Sequence, residues 1–402
     1  MLFGRVPRLS RPFARAAIVD AVGGGLLLGA VQPFAGVLAR RLGAGPILLG
    51  FLSISPFLGF AASGLVTRLL FKFRWPRLLG LISALGRSLV ILTGFTAAPF
   101  SFVCVLVLLQ TSVGWGKVLF QTVLRAHVHG MARPNVFKWV RTAATIAAVP
   151  SAFFVGMILD WRPDSYRVLF PAIGLVSAAC GLLFFRMPSR RTERLAHERT
   201  CGLFEEVRLL GSDRRFLLFM LAFFVGTLGE KIVMPIHPIY FADVLDLRYR
   251  DVGITLGVVG PVLSVGGFFF WARCARRFSP LNVLIVCMFL KALRPAFWAC
   301  ASIDAVPAVA FLAAGEAVFR FMIAGLEMGA VLSVLNMARE DTSPLYVGVH
   351  YLFMGIRGLL GPVIGVALYK AGVEPRSMYW IVAAVVTAGG FALVMFKAAD
   401  RR

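Results

Sequence analysis

Residues 186–215 read RMPSRRTERLAHERTCGLFEEVRLLGSDRR, and they form the one long polar stretch in a chain of 402 residues. On both sides of it, apolar runs of about eighteen or more residues follow one another. Such a run is long enough to cross a hydrocarbon core about 30 Å thick as a helix that rises about 1.5 Å per residue. The sequence therefore predicts membrane-spanning helices on both sides of a polar connector.

The bulk composition excludes an ordinary water-soluble protein. The chain is 59% hydrophobic and only 15% charged, and its mean hydropathy is +0.83. Soluble domains are roughly half apolar and a quarter charged. Because a soluble domain cannot bury this much apolar surface, membrane spans are the default interpretation.

Twelve spans can be placed, six before the connector and six after it. They are 16–38, 46–67, 78–96, 100–124, 142–159, 168–185, 216–241, 252–272, 281–301, 305–331, 345–369 and 377–396. We therefore expect an all-α membrane protein with twelve transmembrane helices in two pseudo-symmetric six-helix bundles. The bundles are 1–185 and 216–402, and 186–215 is a cytoplasmic connector between them.

The net charge of +23 is explained by membrane topology. Of the 42 Lys and Arg residues, 27 lie in segments that become cytoplasmic if the chain starts inside, eight lie in external loops and seven lie within spans. Cytoplasmic loops of membrane proteins carry this excess of basic residues. We expect an integral protein of the inner or plasma membrane with both termini in the cytoplasm, and no nucleic-acid partner.

Short sequence repeats relate the two predicted bundles. Pro76 and Pro280 precede the third and ninth spans at an offset of 204 residues, and Met131-Ala-Arg and Met337-Ala-Arg follow the fourth and tenth spans at an offset of 206. Nearly constant offsets favour a duplicated six-helix unit, as in transporters that are built from parallel repeats.

Motifs of enzymes and metal sites are missing from the sequence. The six cysteines show no Cys-x-x-Cys spacing, and no phosphate-binding loop, Gly-x-Ser-x-Gly or His-Glu-x-x-His motif occurs. We therefore expect neither an enzyme nor a resident metal or cofactor.

Eleven ionisable residues fall within the predicted spans. They are Asp20, Arg87, Lys117, Glu230, Lys231, Lys291, Arg294, Glu316, Arg320, Glu327 and Arg357. Since a charge at the bilayer centre costs about 2.5–3.5 kcal/mol, these groups must mostly face one another or water, or extend to the interface. These residues comprise seven bases and four acids, so three positive charges have no acidic partner. Our hypothesis is a net positive cavity that favours solutes carrying a carboxylate or phosphate.

The seventh and tenth spans carry acids at positions that suit transport chemistry. Glu316, Arg320 and Glu327 share one helix face, because eleven residues return to within about 20° of the same direction. They either line a cavity or form a structural ion pair within the C-terminal bundle. Glu230 lies near mid-depth, where a carboxyl group could take up and release protons on alternate sides. Lys231 points about 100° away from Glu230, and we interpret it as a partner for a neighbouring helix.

The eleventh span carries the most specific family likeness. Tyr346-Val-Gly348 is followed by GLLGPVIGVALY at 358–369, a stretch of small residues with a Gly-Pro step. With twelve spans, the six-and-six division and the repeats, the chain resembles the major facilitator superfamily over nearly its whole length. It departs from the family at Arg68, where an acid is usual, and at Gln110, where relatives often have arginine. The missing acid puts the family's usual gating latch in doubt.

The resemblance implies that spans 1, 4, 7 and 10 line the central path. Candidate substrate-binding or cavity residues are Gln32, Gln110, Lys117, Arg320 and Arg357, and candidate proton-coupling residues are Asp20, Glu230, Glu316 and Glu327. Spans 3 and 9 are peripheral in the family, so we interpret Arg87, Lys291 and Arg294 as partners for acids within their own halves. We interpret His237 and His350 as hydrogen-bonded structural residues.

Taken together, the sequence predicts a secondary active transporter. It would move a small organic solute by alternating access, coupled to protons, with a lean to anionic substrates, as a monomer in contact with lipid. Two alternatives stay open: a transporter-like membrane scaffold or sensor without transport, and an exporter of drugs or amphiphiles.

Overall fold

The computed structural model describes residues 11–69, 75–128, 133–187, 213–301, 307–338 and 343–400, so most of the predicted connector lies outside the described residues. The described chain is helical. We number its main helices α1 Arg11–Arg41, α2 Pro46–Leu69, α3 Trp75–Ser88, α4 Pro99–His127, α5 Arg133–Trp161, α6 Tyr166–Gly181, α7 Arg214–Val233, α8 (Tyr249–Val252, Gly253–Val259 and Gly260–Arg277), α9 Pro280–Cys300, α10 Ala308–Met337, α11 Ser343–Lys370 and α12 Pro375–Asp400. Tighter 3₁₀ turns, Leu89–Phe95 and Leu182–Arg186, extend α3 and α6.

Eleven helices of the described chain are long and apolar enough to cross a membrane. The remaining main helix, α2, contributes a shorter apolar segment, Pro46–Gly59. The predicted class, an all-α integral membrane protein with many spans, is confirmed.

The chain divides into two compact units. Unit 1 comprises Met1–Arg199 with Arg248–Val258, and unit 2 comprises Thr200–Leu247 with Val259–Arg402. The first turns of α8 therefore belong to unit 1, and the rest of that helix belongs to unit 2.

In unit 1, the long helix α1 packs closely against α5. A Cβ atom on Gly29 would lie 2.8 Å from the carbonyl carbon of Ala148, and one on Gly25 would lie 2.9 Å from that of Ala144. Small residues at such crossings let helix backbones approach each other in membrane proteins. This packing fixes the direction in which α1 presents Asp20.

In unit 2, α7 packs between α11 and α12. The backbones of Gly226 on α7 and Gly389 on α12 touch, and a Cβ atom on Gly361 of α11 would lie 2.8 Å from the backbone carbon of Lys231. These close crossings hold the polar end of α7, which carries Glu230 and Lys231, inside the unit.

The seventh span is not one continuous helix over 216–241 as predicted. Helix α7 ends at Val233, a turn follows, and the chain continues as a short helix, His237–Ile239, and a π-helical turn, Tyr240–Val244. Pro235 and Pro238 have no N–H to donate to the preceding turn, which weakens a continuous helix at this point. The backbone N–H of Ile236 bonds to the carbonyl of Val233 at 2.9 Å instead.

Helix α8 is irregular at its start. Its π-helical segment, Gly253–Val259, joins two α-helical segments. Asp160 at the end of α5 accepts hydrogen bonds from the backbone N–H groups of Tyr249 at 2.6 Å and Arg250 at 2.9 Å. A carboxylate from a distant helix thus caps the first turn of α8 within unit 1.

Candidate functional site

In unit 1, Asp20 and Arg87 form an ion pair. Nη1 and Nη2 of Arg87 lie 2.7 Å and 3.0 Å from the two carboxylate oxygens of Asp20. Arg87 Nη1 also donates to the carbonyl of Ser177 on α6 at 3.1 Å. The pair therefore joins α1, α3 and α6, and it confirms the interpretation of Arg87 as the partner of an acid in its own half.

In unit 2, the carboxylate of Glu230 binds two lysines. Oε1 lies 3.2 Å from Nζ of Lys231, the next residue, and Oε2 lies 2.9 Å from Nζ of Lys291 on α9. Lys291 is only 2% exposed. Both oxygens of Glu230 thus have an ammonium partner, and the prediction that Lys291 pairs with an acid of its own half is confirmed.

Glu316 on α10 binds two arginines and is completely buried. Its Oε1 lies 2.6 Å from Nε of Arg320, one turn along α10, and its Oε2 lies 3.1 Å from Nε of Arg294 on α9. The guanidinium of Arg294 also lies between the rings of Trp298 and Phe319, at 4.1 Å and 4.2 Å from their centroids. The predicted partnership of Arg294 with an acid of its own half is confirmed.

A small cavity of about 20 Å³ lies in unit 2, between α7, α9, α10 and α12. The lining comprises Glu230, Val233, His237, Lys291, Arg294, Pro295, Trp298, Phe319, Tyr379, Val382 and Val386. It has a charged side and an apolar, aromatic side. The clusters around Glu230 and Glu316 both reach it, through Lys291 and Arg294 respectively.

His237 occupies the aromatic side of this cavity. Its Nδ1 hydrogen-bonds to the hydroxyl of Tyr379 at 2.7 Å, and its ring lies against Tyr379, Phe241 and Trp298. The interpretation of His237 as a hydrogen-bonded residue is confirmed. His350, by contrast, stacks on Phe223, and its buried Nδ1 has no hydrogen-bond partner among the described residues.

Arg357 on α11 lies in a different environment from the other arginines of unit 2. It is 8% exposed, and its Nη1 donates to the hydroxyl of Thr227 on α7. The ring of Phe223 lies 5.3 Å from its guanidinium carbon. In the described part of the chain, no carboxylate lies within ion-pair distance of Arg357, and its buried Nε has no hydrogen-bond partner.

The charges inside unit 2 do not balance. Five cations, Lys231, Lys291, Arg294, Arg320 and Arg357, accompany the carboxylates of Glu230 and Glu316. All five interact electrostatically with Glu230. Cations therefore outnumber carboxylates in this part of the described chain, even when Glu327, which interacts electrostatically with Arg320, is counted.

Other predicted site residues lie away from these clusters. Gln32 is exposed on α1, Gln110 is partly exposed on α4, and the side chain of Lys117 lies outside the described part of the chain. Glu327 is exposed on α10 and interacts electrostatically with Arg320. Although it shares a helix face with Glu316, it lies eleven residues, or about 16 Å, further along the axis, and its exposure differs for that reason.

Sequence reasoning did not find Thr227 or Tyr379. Both are polar residues within apolar spans, and single hydroxyl residues there give no signal that separates them from helix-packing residues. The position of Thr227, three residues before Glu230, was the one available hint. No metal-binding group of three or more His, Cys, Asp or Glu side chains occurs among the residues that the structure describes.

Comparison with known proteins identifies the fold. No family model and no curated protein matches the sequence. The structure of the nucleoside transporter NupG matches with a TM-score of 0.73 at 13% identity, covering 97% of this chain and 99% of that one. A D-xylose-proton symporter matches with a TM-score of 0.67 at 13% identity, covering 96% and 97%. A bacterial homolog of the human lysosomal transporter Spinster matches with a TM-score of 0.67 at 14% identity, covering 98% of both.

The chain therefore has the major facilitator fold, as its helix count and repeats predicted. At these identities the likeness shows the fold, and a fold alone does not define a substrate. The matched structures are those of transporters.

Proposed function

We propose that the protein is a secondary active transporter that moves a small organic solute by alternating access. The observation that carries this proposal is the network of buried charges within the spans of unit 2. Ionisable groups inside membrane segments are expensive, and they usually mark substrate, ion or proton pathways. A membrane protein with only a structural role could replace such pairs with apolar residues at little cost in stability.

Proton coupling is the second part of the proposal, and Glu230 is its best candidate. Arginine stays protonated in proteins, whereas the ammonium of lysine can give up its proton. The acids Asp20 and Glu316 are paired with arginines, but Glu230 is paired with Lys231 and Lys291. The Glu230 cluster can thus change its charge with a single proton, and the similar D-xylose-proton symporter supports proton coupling.

A preference for anionic solutes is the third part. The five cations around Glu230 and Glu316 outnumber the carboxylates there, so an additional negative charge would be electrostatically favourable. A carboxylate or phosphate on the solute would supply it. Arg320 and Arg357 are the proposed substrate contacts, since Arg320 is the more exposed partner of Glu316 and Arg357 has no acidic partner among the described residues.

The proposed orientation places both termini in the cytoplasm of a cell with an inner or plasma membrane. The distribution of Lys and Arg over the loops supports this orientation. We propose a monomer as the working unit, with membrane lipid around it.

The decisive experiment is transport in proteoliposomes with an imposed pH gradient, using a panel of anionic, neutral and cationic solutes. The wild-type protein should accumulate at least one solute, with anions favoured. Glu230→Gln should abolish gradient-driven accumulation but retain solute exchange without a gradient, because a neutral amide cannot carry the proton.

The matched control is Asp400→Asn, which also converts a carboxylate to an amide. Asp400 lies at the end of α12, away from the Glu230 cluster, and pairs with the exposed Arg215. This variant should accumulate solute as the wild type does. If no solute moves in either protein, the scaffold or sensor alternative is favoured. If Glu230→Gln accumulates normally, proton coupling at Glu230 is wrong.

A further inference from the structure

Three parts of the Arg357 guanidinium, Nη1, one face and Nε, have different neighbours. Its Nη1 is held by Thr227, and one face of the group lies near the ring of Phe223. Its Nε is buried and has no partner among the described residues. Nε and Nη2 form the lateral edge of the group, on which two parallel hydrogen bonds to one oxyanion are made.

Thr227 fixes this orientation. Its own hydroxyl donates to the carbonyl of Phe223 at 2.6 Å, so its oxygen presents a lone pair to Arg357. Thr227 is 1% exposed, and its position on α7 is set by helix packing. The threonine therefore holds Nη1 and leaves the Nε edge of the arginine for another partner.

Glu230 does not serve as that partner in this arrangement. Glu230 interacts with Arg357 electrostatically, but its two oxygens are held by Lys231 and Lys291 at ion-pair distance. A buried arginine with one neutral hydroxyl partner is unfavourable unless an anion completes its surroundings.

From this geometry we infer that Arg357 is the recognition point for a two-oxygen anion, a carboxylate or phosphate group of the transported solute, and that Thr227 is its positioning residue. The inference rests on the proposed function and deepens it, because it assigns the chemical group and the atoms that bind it. A spherical anion cannot use the lateral edge in the same way, since it offers one acceptor centre where the edge offers two parallel donors.

The test measures binding to purified protein in nanodiscs by thermal shift, with lactate, succinate and inorganic phosphate as probes. Chloride serves as the spherical anion and xylose as a neutral solute. At least one oxyanion should stabilise the wild type in a saturable way. Arg357→Lys keeps the charge but loses the lateral edge, so it should weaken that binding at least about tenfold, with little effect on chloride.

Variants of Thr227 separate positioning from general packing. Thr227→Ala should weaken oxyanion binding about three- to tenfold, and Thr227→Ser, which keeps the hydroxyl, should restore it. The control Arg215→Lys changes an arginine that pairs with Asp400 and should bind as the wild type does. Unchanged oxyanion binding in Arg357→Lys, or equal loss of chloride and oxyanion binding, overturns the inference.

Two further comparisons are needed. The first separates a lipid headgroup from a solute as the source of the anion, and the second separates failure of this inference from failure of the transporter proposal. If anionic phosphatidylglycerol nanodiscs stabilise the protein through Arg357 and soluble oxyanions do not, the anion is a lipid headgroup and its assignment to the solute is wrong. If proteoliposomes accumulate xylose equally with the wild type and Arg357→Lys, and no oxyanion binds, the transporter proposal survives and the inference fails.

Discussion

At the residue scale, the pair of Asp20 and Arg87 combines burial with two parallel contacts. Removal of one partner of a buried ion pair costs about 3–5 kcal/mol, because the other charge is left without compensation. Arg87→Leu alone should therefore strongly lower the thermal stability of the protein in detergent. The double variant Asp20→Leu with Arg87→Leu should recover most of that loss. If the double variant is as unstable as the single one, the pair is not the source of the effect.

Tyr379 offers a smaller test at the same scale. Tyr379→Phe removes the hydroxyl that bonds to Nδ1 of the partly buried His237 while keeping the ring contacts. The loss of one buried hydrogen-bond partner costs about 1–3 kcal/mol. Unfolding monitored by tryptophan fluorescence should show this decrease, whereas Tyr369→Phe, at the end of α11, should show none.

The residue scale also shows how far a sequence predicts a site. Arg87, Lys291 and Arg294 could be assigned to acids of their own halves, because a charge in a membrane span needs a partner nearby. The specific pairings could not be assigned, since they depend on the rotation of each helix about its axis. The sequence placed Glu316 on one helix face with Arg320 and Glu327, and the structure confirms the pair of Glu316 with Arg320 but adds Arg294 of α9, which the sequence did not assign to Glu316.

At the scale of single elements, the crossing of α1 and α5 depends on glycine. A methyl group at Gly29 would meet backbone atoms of Ala148, which cannot rotate away, so Gly29→Ala must separate the helices. Overpacking of this kind costs about 1–3 kcal/mol. Gly116→Ala on α4, where a Cβ atom meets nothing within 4 Å, should be neutral or slightly stabilising. Equal melting temperatures for the two variants would contradict this account.

The start of α8 provides a second prediction for a single element. Asp160→Ala removes both hydrogen bonds to the backbone of Tyr249 and Arg250, and loss of a helix cap costs about 0.5–2 kcal/mol. Hydrogen exchange of the amides at 249–252 should accelerate. Asp160→Asn keeps one carbonyl acceptor and should show an intermediate exchange rate. If the amides of Asp160→Ala exchange at the wild-type rate, Asp160 does not cap α8.

The interruption of α7 shows where helix prediction from hydropathy fails. The apolar run over 216–241 is continuous in composition, but Pro235 and Pro238 end the helix at Val233. The prolines were visible in the sequence. Their effect was not certain from it, because Pro33 and Pro362 lie within α1 and α11 without ending them. Neighbouring helices decide whether the freed backbone groups find partners.

At the scale of the whole molecule, the distribution of basic residues predicts the topology. A fluorescent protein fused within 188–212 or at the C-terminus should fluoresce, whereas alkaline phosphatase at the same points should be inactive, because both points are expected in the cytoplasm. A fusion after Trp161 should show the opposite pattern. The reverse result at 188–212 would overturn the proposed orientation and the explanation of the +23 net charge.

The fold as a whole was predictable because it depends on coarse features. Twelve apolar segments, a central polar connector and two repeat offsets were enough to indicate the major facilitator fold, which the structural matches at only 11–14% identity confirm. The cavity inside unit 2 was not predictable, since its lining comes from four helices that are distant in sequence.

The backbone contact between Gly226 and Gly389 has a mechanical consequence. Two helices that meet with no side chains between them cannot slide past each other without losing direct backbone contact over a full turn. Helices α7 and α12 should therefore move together as one rigid body. A pair of spin labels placed on the outward faces of these two helices would report a constant separation, whatever solute is added.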